Sequence, residues 1–258
     1  MYRDVALTAL EPIAGKSIRV GNAVYLFPNG EARAKVEIPP ELVGWELTAH
    51  ACSGFARVGF QVECDPERPM SGDQKYLHTI VSNWSNHYGL KVHSGERIAL
   101  CASDRIKKLP LAQEMLLTTS GNYLAVEANQ LPQIDGMPFW DPHDEQRSRY
   151  VKEGHGMIDF QPDDFRAVRT RERPAIPPNH IGLIASVIPG VQHSTSNLMY
   201  QTSNGPLILE IKSFRGDSIQ VPPGTHIATL RIYESNYPLP KYNGRLGKSD
   251  SVMSFLQT

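Results

Sequence analysis

IPPELVGW at residues 38–45 and IPPNHIGL at 176–183 are two versions of one phrase: an apolar residue, two prolines, a variable stretch, an apolar residue and a glycine. The step from Ile38 to Ile176 and from Gly44 to Gly182 is 138 residues in both cases. A second pair follows in the same order. VHSGERIAL, from Val92, and VPPGTHIATL, from Val221, set Gly95, Ile98 and Ala99 against Gly224, Ile227 and Ala228 at an offset of 129. Two anchors in one order, separated by a short deletion, are much harder to obtain by chance than one. Upstream, GKSIRVGNAVYLFPNGEARAKVEIPP and GHGMIDFQPDDFRAVRTRERPAIPP share an outline of strand, turn and strand. The expectation is two similar β domains, about 1–115 and 116–258, with DGMPFWDPHDEQRSRYVKEG (135–154) as a polar insertion in the second. A single large β-sandwich with coincidental turns is the competing arrangement.

The local chemistry fits this division. Consecutive prolines favour extended backbone and cannot donate to a ladder, so each IPP belongs at a strand entrance or edge. Gly95 and Gly224 supply turns ahead of RIAL and HIATL. Runs such as AVYLF, AKVEI, YLHTIV, RIALCA, LILEI and HIATLRIYE are rich in β-branched and aromatic residues, and Gly, Pro, Asn or Asp bound them. The chain reads as all-β. Helical spacing comes closest in SDRIKKLPLAQEMLLTT, where Pro110 interrupts it, so any helix is expected to be short and to connect the two halves.

Composition narrows the function classes. The 258 residues carry a formal net charge of -1, with acids and bases spread along the chain, which leaves no footprint for duplex nucleic acid. No run approaches the roughly 18 apolar residues of a membrane span, and MYRDVALTAL lacks the features of a signal peptide, so no membrane association and a cytoplasmic location are expected. Cys52, Cys64 and Cys101 are an odd set without CxxC spacing and read as reduced thiols. The nine histidines, among them His87, His93 and His143, show no spacing that suggests a metal, and there is no P-loop, HExxH or G-x-S-x-G. Trp84, Tyr88, Phe139 and Trp140 read either as contacts for a partner or as packing.

The order IPPELVGW, CSGFARVG, VECDPERPMSG, VHSGERIAL resembles the dUTPase and dCTP deaminase superfamily, and its dCTP deaminase branch in particular. The second half has the matching IPPNHIGL, GPLILEI and VPPGTHIATL, and YPLPKYNGRLGKSD is similar to the tail that covers the nucleotide in those deaminases. The likeness spans roughly residues 16–105 and 150–248. It implies two tandem distorted β-barrel or jelly-roll units, and a homo-oligomer, commonly a trimer, with sites between neighbouring subunits. It also implies a pyrimidine deoxynucleotide as ligand, with no protein-bound cofactor beyond magnesium carried on the triphosphate.

Carried over residue by residue, the resemblance is incomplete. The deaminase motif Arg-Ser-Ser-x-x-Arg-x-Gly is here Cys52-Ser53-Gly54-Phe55-Ala56-Arg57-Val58-Gly59, which keeps Ser53 and Arg57 but puts a thiol where a guanidinium grips phosphate. The family's proton-moving glutamate falls on Glu210 in LILEI, and on Ile80 in the first half. A carboxyl group in an apolar strand suits that role if desolvation raises its pKa; strand alternation turning Glu210 to solvent is the plain alternative. Asp65 matches the aspartate that orients water and the sugar hydroxyl, or is a turn aspartate before proline. Lys241 and Tyr242, in the tail, offer charge and a stacking face. Two functions remain open: a dCTP deaminase- or dUTPase-type hydrolase with a composite site of Glu210, Ser53, Arg57, Asp65, Lys241 and Tyr242, or a catalytically lapsed structural or regulatory module, for example in a virus particle.

Overall fold

The computed structural model describes residues 2–68, 75–102, 109–193, 198–199, 205–234, 253 and 256, and these are almost entirely β-structure. They divide into two compact units: unit 1 comprises 1–107 and 128–150, and unit 2 comprises 108–127 and 151–258. Unit 1 opens with β1 (Tyr2–Pro12), β2 (Ser17–Val20), β3 (Ala23–Leu26), β4 (Glu31–Glu37) and β5 (Leu47–Ala51). After a helical turn, α1 (Ser53–Ala56), come β6 (Phe60–Cys64), β7 (Tyr76–Asn83), β8 (Gly89–His93) and β9 (Arg97–Ala102). The chain runs through β10 (Leu111–Val126) in unit 2, then contributes β11 (Gln133–Ile134) and β12 (Met137–Trp140) to unit 1. Unit 2 is completed by β13 (Val151–His155), β14 (Ile158–Phe160), β15 (Phe165–Thr170), β16 (His180–Ser186), β17 (Val191–His193), β18 (Leu198–Met199), β19 (Ile208–Ser213), β20 (Ile219–Val221) and β21 (His226–Glu234). The single α-helical turn among the described residues therefore lies inside unit 1 and does not connect the halves. The region around Leu116, expected to be nearest to helical, is strand, because residues 111–118 of β10 pair with β21.

Each unit repeats the same topology. The main sheet of unit 1 runs β5-β9-β1-β4-β7-β6, and that of unit 2 runs β16-β21-β10-β15-β19-β17, every neighbouring pair antiparallel. A second layer pairs β3 with β8 in unit 1 and β14 with β20 in unit 2. The loop hydrogen bonds repeat too. Gly95 N–H donates to Leu7 O at 2.7 Å and Leu7 N–H to Glu96 O at 2.9 Å; Gly224 N–H donates to Thr119 O at 2.8 Å and Thr119 N–H to Thr225 O at 3.0 Å. Both glycines have positive φ, 96° and 86°, a conformation that strongly disfavours a side chain. Each IPP opens a tight turn: Leu42 N–H reaches Pro39 O at 2.8 Å and His180 N–H reaches Pro177 O at 3.2 Å. The left-handed residues that follow are Gly44 and Asn179, at φ 82° and 61°.

These bonds fix an alignment of the two units. Asn83 N–H donates to Gly30 O and Trp84 N–H to Gly59 O; Ser213 N–H donates to Asp164 O and Phe214 N–H to Gly190 O, all at 2.8–2.9 Å. Asn83 therefore corresponds to Ser213, Ile80 to Glu210, and Gly59 to Gly190. Alternation fills each core: Ala32, Ala34, Val36, Leu77, Thr79 and Val81 face inward in unit 1, and Val168, Leu209, Ile211, Ile227, Leu230 and Ile232 in unit 2. Segment 128–150 adds a parallel pairing, with Phe139 opposite Gly89 and Trp140 opposite Leu90. Gly89 is required there, since a Cβ would lie 2.1 Å from Phe139 Cε1. Phe139 also meets Tyr25 edge-on at 5.1 Å. Phe139 and Trp140, together with Tyr88, are therefore buried. Among the described residues no helix is long and apolar enough to cross a membrane.

Candidate functional site

Ser53 and Arg57 belong to the connection between β5 and β6. After Cys52 the backbone folds into α1, where Phe55 and Ala56 N–H groups both reach Cys52 O, at 3.1 and 3.0 Å. Phe55 then stacks on Phe60, ring centroids 4.2 Å apart and nearly parallel, and Tyr88 Oη donates to Val58 O at 3.1 Å. This packing holds Arg57 in a turn where it is 4 % exposed. Gly59, at φ 94°, ends the turn as Gly190, at φ 73°, does in unit 2. The motif's equivalent in unit 2 is therefore LIASVIPG (183–190), slightly upstream of the region near residues 190–195 expected from sequence. It too lacks the motif's serine and arginine side chains at the matching places. Cys52, at the position of the missing arginine, has its thiol pushed up to about 12 by burial and by the Asp4 carboxylate, against a smaller effect of Arg97. At neutral pH it is an uncharged thiol, which supplies neither a cation for phosphate nor a thiolate nucleophile.

Asp65 is 2 % exposed where β6 ends. Its Oδ1 accepts the Glu67 N–H at 3.0 Å, and its backbone bonds to His78 O and Arg68 N–H close the turn. Oδ2 lies 3.5 Å from Arg33 Nε, an ion pair without a hydrogen bond, while the same guanidinium also holds Glu67. Both carboxylate oxygens thus face fold-forming groups of unit 1, as the turn reading of Asp-Pro anticipates.

Glu210 lies in unit 2, on β19, opposite Ala167 of β15. Leu209 and Ile211 face the hydrophobic core, so alternation sends Glu210 and Lys212 to the other face. That face is not open to solvent: Glu210 is 7 % and Lys212 6 % exposed. Lys212 carries no signal in the family motif, but its i, i+2 spacing from Glu210 places it on the same face. Burial lowers the pKa of its ammonium, partly offset by the Asp163 charge. Lys212 is flanked by Phe165 of β15 on one side and Gln192 of β17 on the other. On the core side of the same sheet, His193 is 4 % exposed and hydrogen-bonds Ile227 O through Nε2 at 3.3 Å.

The structure thus places Ser53, Arg57 and Asp65 in unit 1 and Glu210 in unit 2, whereas Lys241 and Tyr242 lie outside the described residues. Among the described residues no group of three or more His, Cys, Asp or Glu side chains is arranged to hold a metal ion. No protein-family profile and no curated protein matches the sequence. Among solved structures, the chain is similar to a 2'-deoxycytidine 5'-triphosphate deaminase from Agrobacterium tumefaciens, with a TM-score of 0.59 and 12% identity over 91% of this chain and 89% of that one. The likeness is one of fold. Both chains are all-β, as the strand-rich runs bounded by turn residues led one to expect.

Proposed function

We propose that this protein binds pyrimidine deoxynucleotides and hydrolyses them, by deamination or by release of pyrophosphate, with Glu210 as the proton-moving group. The observation that carries this reading is a carboxylic acid buried in an otherwise apolar stretch, Ile208-Leu209-Glu210-Ile211, within a dCTP deaminase-like fold. A carboxyl group held out of water and kept in place by its neighbours is the kind of group that general acid–base chemistry uses. In deamination that chemistry is proton traffic: Glu210 takes a proton from the attacking water and delivers one to the ring nitrogen or the departing ammonia. Arg57 and Ser53 assist at the pyrimidine, Asp65 near the sugar or water, and Lys241 with Tyr242 closes over the phosphates, whose charge magnesium shares. The repeated topology further supports an origin by tandem duplication. The site in this reading is completed within a homo-oligomer of threefold symmetry.

A second reading, a non-catalytic assembly or regulatory module, is favoured by Cys52 and Asp65. One is a neutral thiol at the phosphate-gripping position, and the other is engaged by Arg33 and its own turn. Calorimetric titration with dCTP, dUTP, dCMP and dUMP in magnesium separates the two. Saturable binding of a triphosphate at micromolar concentration supports the first; absence of binding to all four, with a stable oligomer in solution, supports the second.

A further inference from the structure

A group of titratable side chains outside the candidate site lies where segment 128–150 docks within unit 1. His93 is on β8, opposite Ala23 of β3. Lys91 precedes it by two residues on the same face, and Glu96 follows in the turn to β9. The docked segment contributes Asp141 and His143. Lys91 Nζ is 2.6 Å from Asp141 Oδ2 and lies 6.0 Å above the Tyr25 ring of β3, while His143 Nε2 is 2.8 Å from Glu96 Oε1. The two imidazoles meet edge to face, centroids 5.0 Å apart. Among the described residues His93 Nε2 is buried and without a hydrogen-bond partner; its nearest acid, Asp141 Oδ1, is 3.9 Å away.

We propose that His93 is an acid-sensitive latch: a proton on its imidazole loosens residues 128–150 from β8. The aspartate that could neutralise that charge is already committed, with Oδ2 on Lys91 and Oδ1 accepting the His143 N–H at 2.9 Å. A charged His93 therefore competes with Lys91 for Asp141 and stands beside the His143 ring. Glu96, the remaining acid, is held by His143. Burial, then the Lys91 charge, hold the His93 pKa below its ordinary 6.5, against the pull of Asp141. A group with a depressed folded pKa stabilises the docked state fully above its free value, so docking weakens as pH falls below about 6.5. Release uncovers Leu90 and the Phe139 and Trp140 rings, all buried when the segment is docked.

Hydrogen exchange of the full chain, read by mass spectrometry at pH 7.5 and 5.5 and corrected for intrinsic exchange, tests the latch. Protection of amides 89–93, 137, 139 and 140 is expected to fall severalfold at the lower pH, within the roughly tenfold ceiling that one proton with a free value near 6.5 allows, to stay flat in His93→Asn, and to fall as in the parent in His143→Gln. Lys91→Met, which frees Asp141 to receive a charged His93, is expected to shrink the fall and serves if His93→Asn does not fold. Equal protection at both pH values, or an undiminished fall in His93→Asn and Lys91→Met, overturns the proposal.

Discussion

Strands β7 and β19 occupy the same place in the two units, and they put it to different use. β7 alternates cleanly, with Leu77, Thr79 and Val81 in the core and His78 and Ile80 on the half-buried face. Its last residue, Asn83, secures the following loops through Phe27 O, Tyr88 O and the Ser85 N–H. β19 keeps the core alternation with Leu209 and Ile211, yet its other face is buried as well and carries Glu210 and Lys212 where β7 has Ile80 and Ser82. One topology thus holds a strand whose polar groups serve turns and a strand whose ionisable groups sit out of water. In unit 1 Asp65 meets Arg33 and Arg57 is packed around α1; in unit 2 a carboxyl group is buried on β19.

The largest expected effect concerns what unit 1 needs beyond its own contiguous strands. Trp140, 1 % exposed, fills the site beside β8, and Trp140→Ala is expected to cost about 4 kcal/mol in denaturant unfolding. A cost below about 1 kcal/mol would mean that 128–150 is an ornament on unit 1. Next comes a pH effect confined to unit 2. Burial lowers the His193 pKa to about 4 from an ordinary 6.5. Because the unfolded chain takes up the proton first, stability is lost as pH falls from about 6.5 to about 4, by on the order of 3 kcal/mol. His193→Gln should flatten that part of the pH–stability curve. Asp65→Asn removes the charge facing Arg33 and the group proposed to act near the sugar or water, and is expected to cost about 2 kcal/mol and to lower nucleotide turnover as well; the same stability loss with turnover unchanged would leave Asp65 as a turn aspartate alone. The smallest effect sharpens the comparison directly. Glu210→Ile copies β7 into β19 and is expected to cost about 1 kcal/mol or less, the added apolar burial offsetting the lost partners of the carboxyl group, while abolishing activity. Destabilisation by several kcal/mol would instead make Glu210 a structural ion-pair member.

Much of the architecture could be read from turn chemistry. IPP and the glycines at 95 and 224 fix backbone conformations that few other residues adopt, so their spacing reports topology even where side chains have diverged. The strand character of β10 was harder to see, because LAQEMLLTT is rich in helix formers and only its pairing with β21 decides the matter. The parallel meeting of β12 with β8 depends on Gly89 admitting Phe139, a long-range contact that no local pattern announces. For the candidate site, residue type and alternation located Glu210 on the outward face of its strand. Alternation did not foretell its burial, since periodicity says which face a residue takes and not what that face meets. Lys212 and the His93 cluster escaped notice for a similar reason: their meaning comes from neighbours on other strands.

The most direct test of the account is turnover of dCTP and dUTP in magnesium, following ammonia and pyrophosphate release, by the parent protein and by Glu210→Gln. The account predicts release by the parent and a loss of at least about a hundredfold in Glu210→Gln with nucleotide binding retained. Equal release by both proteins, or binding without turnover in either, would contradict the assignment of chemistry to β19.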